Sequence, residues 1–550
     1  MAVTGIVLLL IPKGPPPEQQ RAQRYVAALA QADYPQMYAQ LTATARRSRS
    51  EGAFADDHRR AAATATATAF AAGKVGEPED GVVTVPMTVT TRAFGAIRTT
   101  LRLPFEGEDD KARIDWAPHL AFPGVQPGQR LERTLRQPRR ADILARDGTP
   151  LAQGASRTSP LGAVATAISG SLGAAPPDRV EELRARGVPD DAKVGTTGLE
   201  RVFDEQLAGR PGGSLRAGSR LLATATPRAG QAVRTTIDPR VQRAAVEALG
   251  DQYGGIAVLR PGTGEILGLS GVAFSGLQPP GSTFKMVTLA GALQAGIAGP
   301  NSSYPVETKT SLEGVDLENA NGESCGGSLR LSFAHSCNSV FAPLGARLGA
   351  ERLVATAEAF GFNQSLGIPG AATSTIPQAD QIGDALAVGS TAIGQGRVQA
   401  TALMMGWVAA TIAEGGRRTR LTLRAGQRPP APRRVLRASV ANNVGRFMEA
   451  VVQVGTGGAA KISGVRVAGK TGTAELKTTQ AADCTPAEGV ECPPVLPDDP
   501  TDTDAWFAAY APAGKPRIAV GVVLIANGVG GETAAPLARE VLSVGLKATR

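Results

Sequence analysis

A chain of 550 residues, 42% of them hydrophobic, is long enough for two to four domains and a large buried core. Its mean hydropathy of −0.06 is typical of a soluble globular protein. The net charge of +9 comes largely from arginine, and eight arginines fall within residues 417–437. No aromatic residues interleave with them and no nucleic-acid-binding motif is present, so we expect a solvated surface and no nucleic-acid partner.

The N-terminus carries a short apolar run at residues 6–11. Spanning a bilayer takes about 20 apolar residues, so this run cannot cross a membrane alone. A signal-peptide core is an alternative, although no basic stretch precedes the run and no clear cleavage site follows it.

Residues 18–125 are predicted to form a small α+β unit. Helical patterns cover residues 18–29 and 35–41, and strand-like patterns cover residues 82–91, 96–104 and 111–116. Between them, the Ala/Thr-rich stretch 61–69 is interpreted as low-complexity structural filler. A unit of this kind is expected to act as a spacer or pedestal rather than in catalysis.

The helix and strand patterns in the second half of the chain predict a sheet flanked by helices. Asp238 is a good N-cap with Pro239 at the first helical position, and Gly250 ends the predicted helix. Two strands, 256–259 and 266–269, meet across a Pro-Gly-Thr-Gly turn. A β-branched run at 517–527 and a helical pattern at 540–546 close the chain.

A candidate nucleophile lies in the stretch Pro-Pro-Gly-Ser-Thr-Phe-Lys at residues 279–285. The prolines and glycine exclude helix before Ser282, and an apolar helical pattern follows, so Ser282 should lie in the first turn. Lys285, three residues on, shares the face of the Ser282 hydroxyl. The pair is a serine beside a candidate base, but this spacing alone is a weak signal.

Two further motifs strengthen that interpretation: Ser336-Cys337-Asn338 and Lys470-Thr471-Gly472-Thr473 follow in order. The ordered set S-x-x-K, S-D-N and K-T-G is shared by class A β-lactamases and penicillin-binding proteins, and the middle motif here reads S-C-N. The chain therefore resembles a penicillin-binding transpeptidase.

The N-terminal half resembles the MecA-type class B members of that family. Residues 114–116 and 122–124 are similar to the close of the NTF2-like extension, and residues 140–152 and 197–212 are similar to the dimerisation (pedestal) domain. The resemblance implies a truncated membrane anchor or signal remnant at 1–17, an NTF2-like domain at 18–125, a pedestal domain at 126–234 and a transpeptidase domain at 235–550. The implied fold class is multidomain α+β and α/β, whose acyltransferase domain has a central antiparallel sheet flanked by helices.

The resemblance also implies a mechanism, in which Ser282 attacks a D-Ala-D-Ala peptide stem and forms an acyl-enzyme. Lys285 would take the serine proton, aided by burial and by the charge of Lys470. Ser336 would relay a proton to the leaving D-alanine. The implied site residues are Ser282, Lys285, Ser336, Asn338 and Lys470 for catalysis, Thr471, Gly472 and Thr473 for substrate binding, and the backbone N–H groups of Ser282 and Thr473 for the oxyanion hole.

The partners implied by the resemblance are donor and acceptor peptide stems of peptidoglycan, β-lactam antibiotics and a wall-synthesis glycosyltransferase. No cofactor is implied. The expected location is the outer face of the cell membrane, held by an N-terminal anchor.

Cys325, Cys337, Cys484 and Cys492 are the four cysteines, and they form no C-x-x-C pair. With only three histidines in the chain, a zinc site is not expected. In an exported protein, Cys484 and Cys492 are natural disulfide partners across an acidic loop. Cys325 and Cys337 could also pair, or Cys337 could be a buried thiol.

Three other enzyme classes fit the sequence less well. Residues 464–471 formally match a Walker A motif, but its β-like stretch falls inside the motif instead of before it. A Ser-His-Asp triad lacks the G-x-S-x-G elbow around Ser282, and His335 is interpreted as structural. A β-lactamase would be about one domain of 250–300 residues, which the 234 residues before Thr235 argue against.

A D,D-carboxypeptidase is the nearest alternative, since it differs only in the acceptor. A degenerate penicillin-binding scaffold or sensor is the non-enzymatic alternative. Hydrolysis by a β-lactamase commonly needs a carboxylate beside the acyl-enzyme, and Glu475, which lies nearest to a motif, is expected at a surface strand position.

Overall fold

The computed structural model describes residues 15–427, 430–476 and 502–549. These residues form two compact units. Unit 1 comprises residues 15–141, 172–196 and 204–231, and unit 2 comprises the remaining described residues. The segment 126–234, expected as one pedestal domain, contributes residues to both units.

The helices of the described chain are mostly short, and many begin at a polar capping residue. They are α1 (Pro17–Ala30), α2 (Tyr34–Tyr38), α3 (Ala43–Ser48), α4 (Glu51–Ala65), α5 (Ala163–Ser169), α6 (Val180–Ala185), α7 (Gly198–Val202), α8 (Asp204–Ala208), α9 (Pro239–Leu249), α10 (Lys285–Ala295), α11 (Leu329–Ala334), α12 (Asn338–Leu348), α13 (Ala350–Phe360), α14 (Ala379–Ile382), α15 (Ala385–Ala392), α16 (Ala402–Ala413), α17 (Ala438–Val454) and α18 (Ala534–Ala548).

The described strands form two five-stranded sheets and several smaller ones. They are β1 (Ala67–Ala72), β2 (Pro78–Glu79), β3 (Val82–Thr91), β4 (Gly95–Glu106), β5 (Arg113–Ile114), β6 (Leu131–Arg136), β7 (Ile143–Leu144), β8 (Pro150–Ala152), β9 (Leu172–Gly173), β10 (Val194–Gly195), β11 (Gly212–Ala217), β12 (Arg220–Ala225), β13 (Val233–Arg234), β14 (Gly254–Arg260), β15 (Glu265–Gly271), β16 (Ser303–Glu307), β17 (Lys309–Leu312), β18 (Val315–Glu318), β19 (Cys325–Ser328), β20 (Arg417–Arg418), β21 (Arg433–Arg434), β22 (Ala468–Glu475), β23 (Thr503–Ala511) and β24 (Ile518–Leu524).

Unit 1 packs α1, α2 and α4 against an antiparallel sheet of order β1-β3-β4-β5. Alternating burial along β3 directs Val83, Val85 and Met87 into that core. The helix predicted at 18–29 and the strands predicted at 82–91 and 96–104 are present. The helix predicted at 35–41 ends earlier, at Tyr38, and the strand predicted at 111–116 is limited to β5. A second sheet of order β12-β11-β6 belongs to the same unit.

The interpretation of residues 61–69 as filler was wrong. Residues 61–65 complete α4, which Ser50 begins by accepting a hydrogen bond from Ala53 N, and β1 starts at Ala67. Thr66 ends the helix in a left-handed conformation with φ of 54°. The weak Ala/Thr pattern therefore hides a helix-to-strand junction made by its capping residues.

Unit 2 is built on an antiparallel sheet of order β15-β14-β24-β23-β22. Helices α9 and α18 supply apolar side chains to one core cluster with β14, β23 and β24. Helix α9 begins and ends as expected, since the Asp238 side chain accepts from Arg240 N at 3.0 Å and Gly250 has φ of 54°. Helices α10 and α16 are apolar nearly all round and are buried along most of their length.

Among the described strands, β22 lies at the end of that sheet and pairs with β23 alone, in a register that sets Lys470 opposite Ala508 and Thr473 opposite Ala505. One side of an edge strand keeps backbone groups that the sheet does not use. Because Lys470 lies inside β22, which continues to Glu475 where a Walker A motif would open a helix, the Walker A interpretation is excluded.

None of the described helices is long and apolar enough to span a membrane. The apolar run at residues 6–11 lies outside the described residues.

Candidate active site

The turn that carries Ser282 is a short 3₁₀ helix, Gly281–Phe284, and α10 continues directly from it at Lys285. Gly281 has φ of 49°, a left-handed conformation that favours glycine, and its N–H donates to Gly394 O at 3.0 Å. The turn therefore points the partly exposed Ser282 out of an otherwise buried helix start. Ser282 lies in the first turn, as expected.

This turn packs closely against β22. A Cβ atom at Gly281 would lie 2.5 Å from Thr473 O, and one at Gly472 would lie 2.9 Å from Pro280 O. Glycine at both positions brings the nucleophile turn beside the Lys470–Thr473 strand. Gly472 was expected to bind substrate, and the structure adds a packing reason for a glycine there.

Lys285 is fully buried and reaches the second motif. Its Nζ donates to Asn338 Oδ1 at 2.6 Å and to Ser336 O at 2.6 Å, and it lies 3.3 Å from Ser336 Oγ. Burial, and then the charge of Lys470, hold its pKa well below the usual value. An amine with a lowered pKa has its lone pair available as a base.

Lys470 contacts the same hydroxyl. Its Nζ donates to Ser336 Oγ at 2.9 Å and to Thr471 O at 3.0 Å, and the side chain is fully buried. Burial lowers the pKa of Lys470 to about 7. Ser336 Oγ thus lies between two amines whose residues are far apart in the sequence.

Ser336 is held in an unusual backbone conformation, with φ of 63°. A non-glycine residue in the left-handed region needs support from its surroundings. Part of that support is the disulfide between Cys325 and Cys337, which joins the second motif to β19. Cys337 is therefore bonded to Cys325 and is not a free buried thiol.

Among the described residues, no hydrogen bond joins the Ser282 hydroxyl to Lys285 or to another side chain. Catalytic hydrogen bonds are often long without substrate and tighten when it binds. The structure therefore brings Lys285, Ser336, Asn338 and Lys470 together directly and places Ser282 and Thr473 beside them through backbone packing.

Thr456 is a neighbour of the site that the sequence did not single out. Its Oγ1 lies 2.6 Å from Thr471 Oγ1, and its N–H donates to Ala334 O at 3.1 Å, two residues before Ser336. It thereby links the third motif to the helix that precedes the second. The one sequence signal was its place in the glycine-rich stretch 455–460.

Three remaining candidates have different outcomes. Glu475 is exposed at the end of β22, as expected of a surface position. His335 is exposed beside the second motif. Cys484 and Cys492 lie outside the described residues, so their disulfide stays a prediction, which peptide mass mapping of the exported protein would check.

No group of three or more His, Cys, Asp or Glu side chains in the described part of the chain is placed to hold a metal ion. The chemistry that the site can perform with its own groups is acyl transfer. It offers a serine hydroxyl, two amines of lowered pKa and a hydroxyl between them.

Three family models match the chain in order. They are the NTF2-like N-terminal transpeptidase domain at residues 17–129, the penicillin-binding protein dimerisation domain at 148–219 and the penicillin-binding protein transpeptidase domain at 254–543. The last covers more than half of the chain.

Similar proteins come from mycobacteria. Peptidoglycan D,D-transpeptidase PbpA of Mycolicibacterium smegmatis is 34% identical over 421 residues, which cover 64% of this chain and 80% of that protein. The protein of the same name from Mycobacterium tuberculosis is 32% identical over 433 residues, with the same shares covered. The structure of penicillin-binding protein A from M. tuberculosis as a penicillin G acyl-enzyme complex matches with a TM-score of 0.58 and 28% identity, covering 74% of this chain and 99% of that one.

Proposed function

Because this chain belongs to the penicillin-binding protein transpeptidase family, we propose that it is a peptidoglycan D,D-transpeptidase that cross-links peptide stems and is acylated by β-lactams. Its class B, MecA-like domain set and its multidomain fold class are confirmed by the three family models. The observation that carries the proposal is the meeting of Lys285 and Lys470 at Ser336 Oγ, beside the turn that bears Ser282.

In the proposed reaction, Ser282 Oγ attacks the carbonyl carbon of the penultimate D-alanine, and Lys285 accepts its proton. Ser336 then passes a proton to the amine of the leaving D-alanine, and its contacts with both lysines let that proton be replaced. The resulting ester is attacked by the amine of a second stem, which frees Ser282.

Substrate recognition is assigned to β22. Lys470, Thr471 and Thr473 would bind the terminal carboxylate of the donor stem, and the N–H groups of Ser282 and Thr473 would bind the developing oxyanion. The position of β22 at the end of the described sheet supports this, since the outer side of such a strand offers backbone donors that its neighbour β23 does not use. One such donor is worth about 10²–10³ in rate.

The setting of the reaction is also a proposal. We place the chain at the outer face of the cell membrane, held by an N-terminal anchor, with a wall-synthesis glycosyltransferase as a partner. Peptide stems and β-lactams are the ligands of the site itself.

Covalent labelling tests the nucleophile. Fluorescent penicillin should label the wild-type chain and leave Ser282→Ala unlabelled, whereas Ser543→Ala should label like wild type, since Ser543 is a half-buried serine of α18 whose hydroxyl donates to Arg539 O. Retained label in Ser282→Ala would remove Ser282 as the nucleophile.

An acceptor assay tests the reaction class. D-alanine release from a stem or thioester mimic should speed up when a D-amino acid is added, because the acyl-enzyme persists until an amine attacks its ester. Release without any response to the amine would indicate a D,D-carboxypeptidase, and labelling without release would indicate a penicillin-binding scaffold. Rapid multiple-turnover hydrolysis of penicillin would contradict the transpeptidase assignment.

A further inference from the structure

The second motif is supported by residues 303–328, a segment that no motif covers. In this segment β16 pairs with β19, and the hairpin β17–β18 lies between them in the sequence. Asn319 lies between β18 and β19 and is buried, with a relative exposure of 5%. A buried side-chain amide needs hydrogen-bond partners, and those of Asn319 are well defined.

All the partners of Asn319 are backbone groups. Its Nδ2 donates to Glu307 O at 2.8 Å and to Glu323 O at 2.9 Å, and its Oδ1 accepts from Ser339 N at 2.9 Å. Since carbonyls only accept and an N–H only donates, these partners fix the orientation of the amide.

The bond to Ser339 N satisfies the start of α12. That helix begins at Asn338, and its N-cap residue, Cys337, makes no side-chain capping bond. The first N–H groups of a helix need acceptors from outside it. Asn319 therefore supplies from a distant part of the chain the cap that the second motif itself lacks.

The residue before Asn319 acts on the catalytic amide. Glu318 O accepts from Asn338 Nδ2 at 2.7 Å, which turns Asn338 Oδ1 toward Lys285 Nζ at 2.6 Å. Without the Glu318 carbonyl in place, Asn338 could rotate and present Nδ2 to Lys285 instead.

We propose that Asn319 is a positioning residue for acylation: it holds the Glu318 carbonyl and the start of α12 so that Asn338 faces Lys285 through its oxygen. This inference rests on the proposed function of the Ser282 site. Asn319 touches no reacting group and acts through Asn338.

The test measures the acylation rate constant at saturating penicillin in Asn319→Ala. A misplacement of about 1 Å can cost roughly 10²-fold in rate, so we expect a fall of about 10- to 100-fold. Asn319→Asp keeps an oxygen for Ser339 N but loses both donated bonds. Its acylation rate constant should lie between those of the Ala variant and wild type.

Asn363→Ala is the matched control. Asn363 likewise accepts from a backbone N–H, Ile376 N at 3.1 Å, and donates to a backbone carbonyl, Ile376 O at 3.0 Å. Its Nδ2 also donates to Glu358 Oε1 at 3.1 Å, and none of these partners belongs to a motif. Both Ala variants should melt at lower temperature than wild type, but only Asn319→Ala should be slow in acylation. Equal acylation rates in the folded Asn319→Ala variant and wild type would overturn the proposal.

The pH profile separates positioning from general loosening. Lys285 Nζ faces Ser336, Asn338 and the Phe341 ring, and among the described residues Lys470 is the titratable group beside it. Loss of the Asn338 acceptor disfavours the ammonium form, so the acid limb of acylation should move to lower pH. Loosening that admits water would move the limb to higher pH and would contradict positioning.

Two outcomes distinguish failure of the proposed Ser282 site from failure of the role of Asn319. If Ser282→Ala retains the penicillin label, the proposed site itself fails. If Ser282→Ala loses the label while both Asn319 variants acylate at the wild-type rate, only the role of Asn319 fails. Should Asn319→Ala not unfold cooperatively, the rate of Asn319→Asp decides: a wild-type rate rejects the role, and a reduced one supports it.

Discussion

Lys285 and Lys470 are two fully buried amines that contact one hydroxyl, Ser336 Oγ. No carboxylate in the described ranges lies within ion-pair distance of either one. Burying a charge without a counter-ion is costly, so both groups release protons more readily than free lysine. The lowered pKa values thus let an amine act as a base near neutral pH, without a histidine in this role.

Lys470→Met tests the coupling between the two amines. In the proposed mechanism acylation needs neutral Lys285, so its rate should fall as pH drops through the pKa of that lysine. Removing the charge of Lys470 removes a repulsion, raises the pKa of Lys285 and should move the acid limb of penicillin acylation to higher pH.

The measurement is the acylation rate constant at saturating penicillin between pH 5 and pH 9. Lys461→Met, at an exposed lysine, is the control and should keep the wild-type profile. An acid limb that stays in place or moves to lower pH in Lys470→Met would reject the coupling.

At the scale of elements, the site depends on how closely the 3₁₀ turn Gly281–Phe284 packs on β22. Gly281 faces Thr473 O, Gly472 faces Pro280 O, and Gly394 O accepts from Gly281 N. Each contact leaves too little room for a side chain. Backbone packing, rather than a side-chain bond, sets the position of Ser282 relative to the Lys470–Thr473 strand.

Gly281→Ala should therefore slow acylation by about 10²-fold, because the new methyl group must push the turn away from Thr473 O. Gly296→Ala is a matched control at the other end of α10, with φ of 72° and no atom within 4 Å of the new Cβ. It should cost roughly 1 kcal/mol of stability and leave acylation unchanged. Penicillin labelling rates and melting temperatures of both variants check this, and similar rates would contradict it.

At the scale of the whole molecule, the two units have separate hydrophobic cores. The core of unit 1 contains an unusual polar group, His58, which is 2% exposed and packs against Phe54 and Trp116. Burial lowers the pKa of His58 to about 4. The folded chain therefore keeps this imidazole neutral.

Unit 1 should lose stability in mild acid for this reason. The unfolded chain binds the His58 proton below its ordinary pKa of about 6.5, and the folded chain binds it only near pH 4, so stability falls between these values by about 3 kcal/mol. Calorimetry of the full chain at pH 7 and pH 4.5 should show this fall. In His58→Phe the fall should be smaller, and an unchanged fall would exclude His58 as its cause.

The sequence alone determined the local features of this protein. Asp238, Pro239 and Gly250 mark the ends of α9, the alternating pattern of residues 82–91 predicts β3, and the prolines before Ser282 place it in a first turn. Each of these signals acts over a few residues, through capping, side-chain alternation or a restricted φ angle. The ordered motifs likewise predicted the family that the comparisons confirm.

The tertiary structure decided how those features meet. The contact of Lys470 with Ser336, the bond of Thr456 to Thr471 and the cap that Asn319 gives to α12 join residues 134, 15 and 20 positions apart. Periodicity and propensity do not predict such pairs, because the two residues interact only after the chain has folded and brought them together in its interior. The sequence therefore predicted the candidate reacting groups, and long-range packing determined which residues support them and lowered the pKa values of the two lysines.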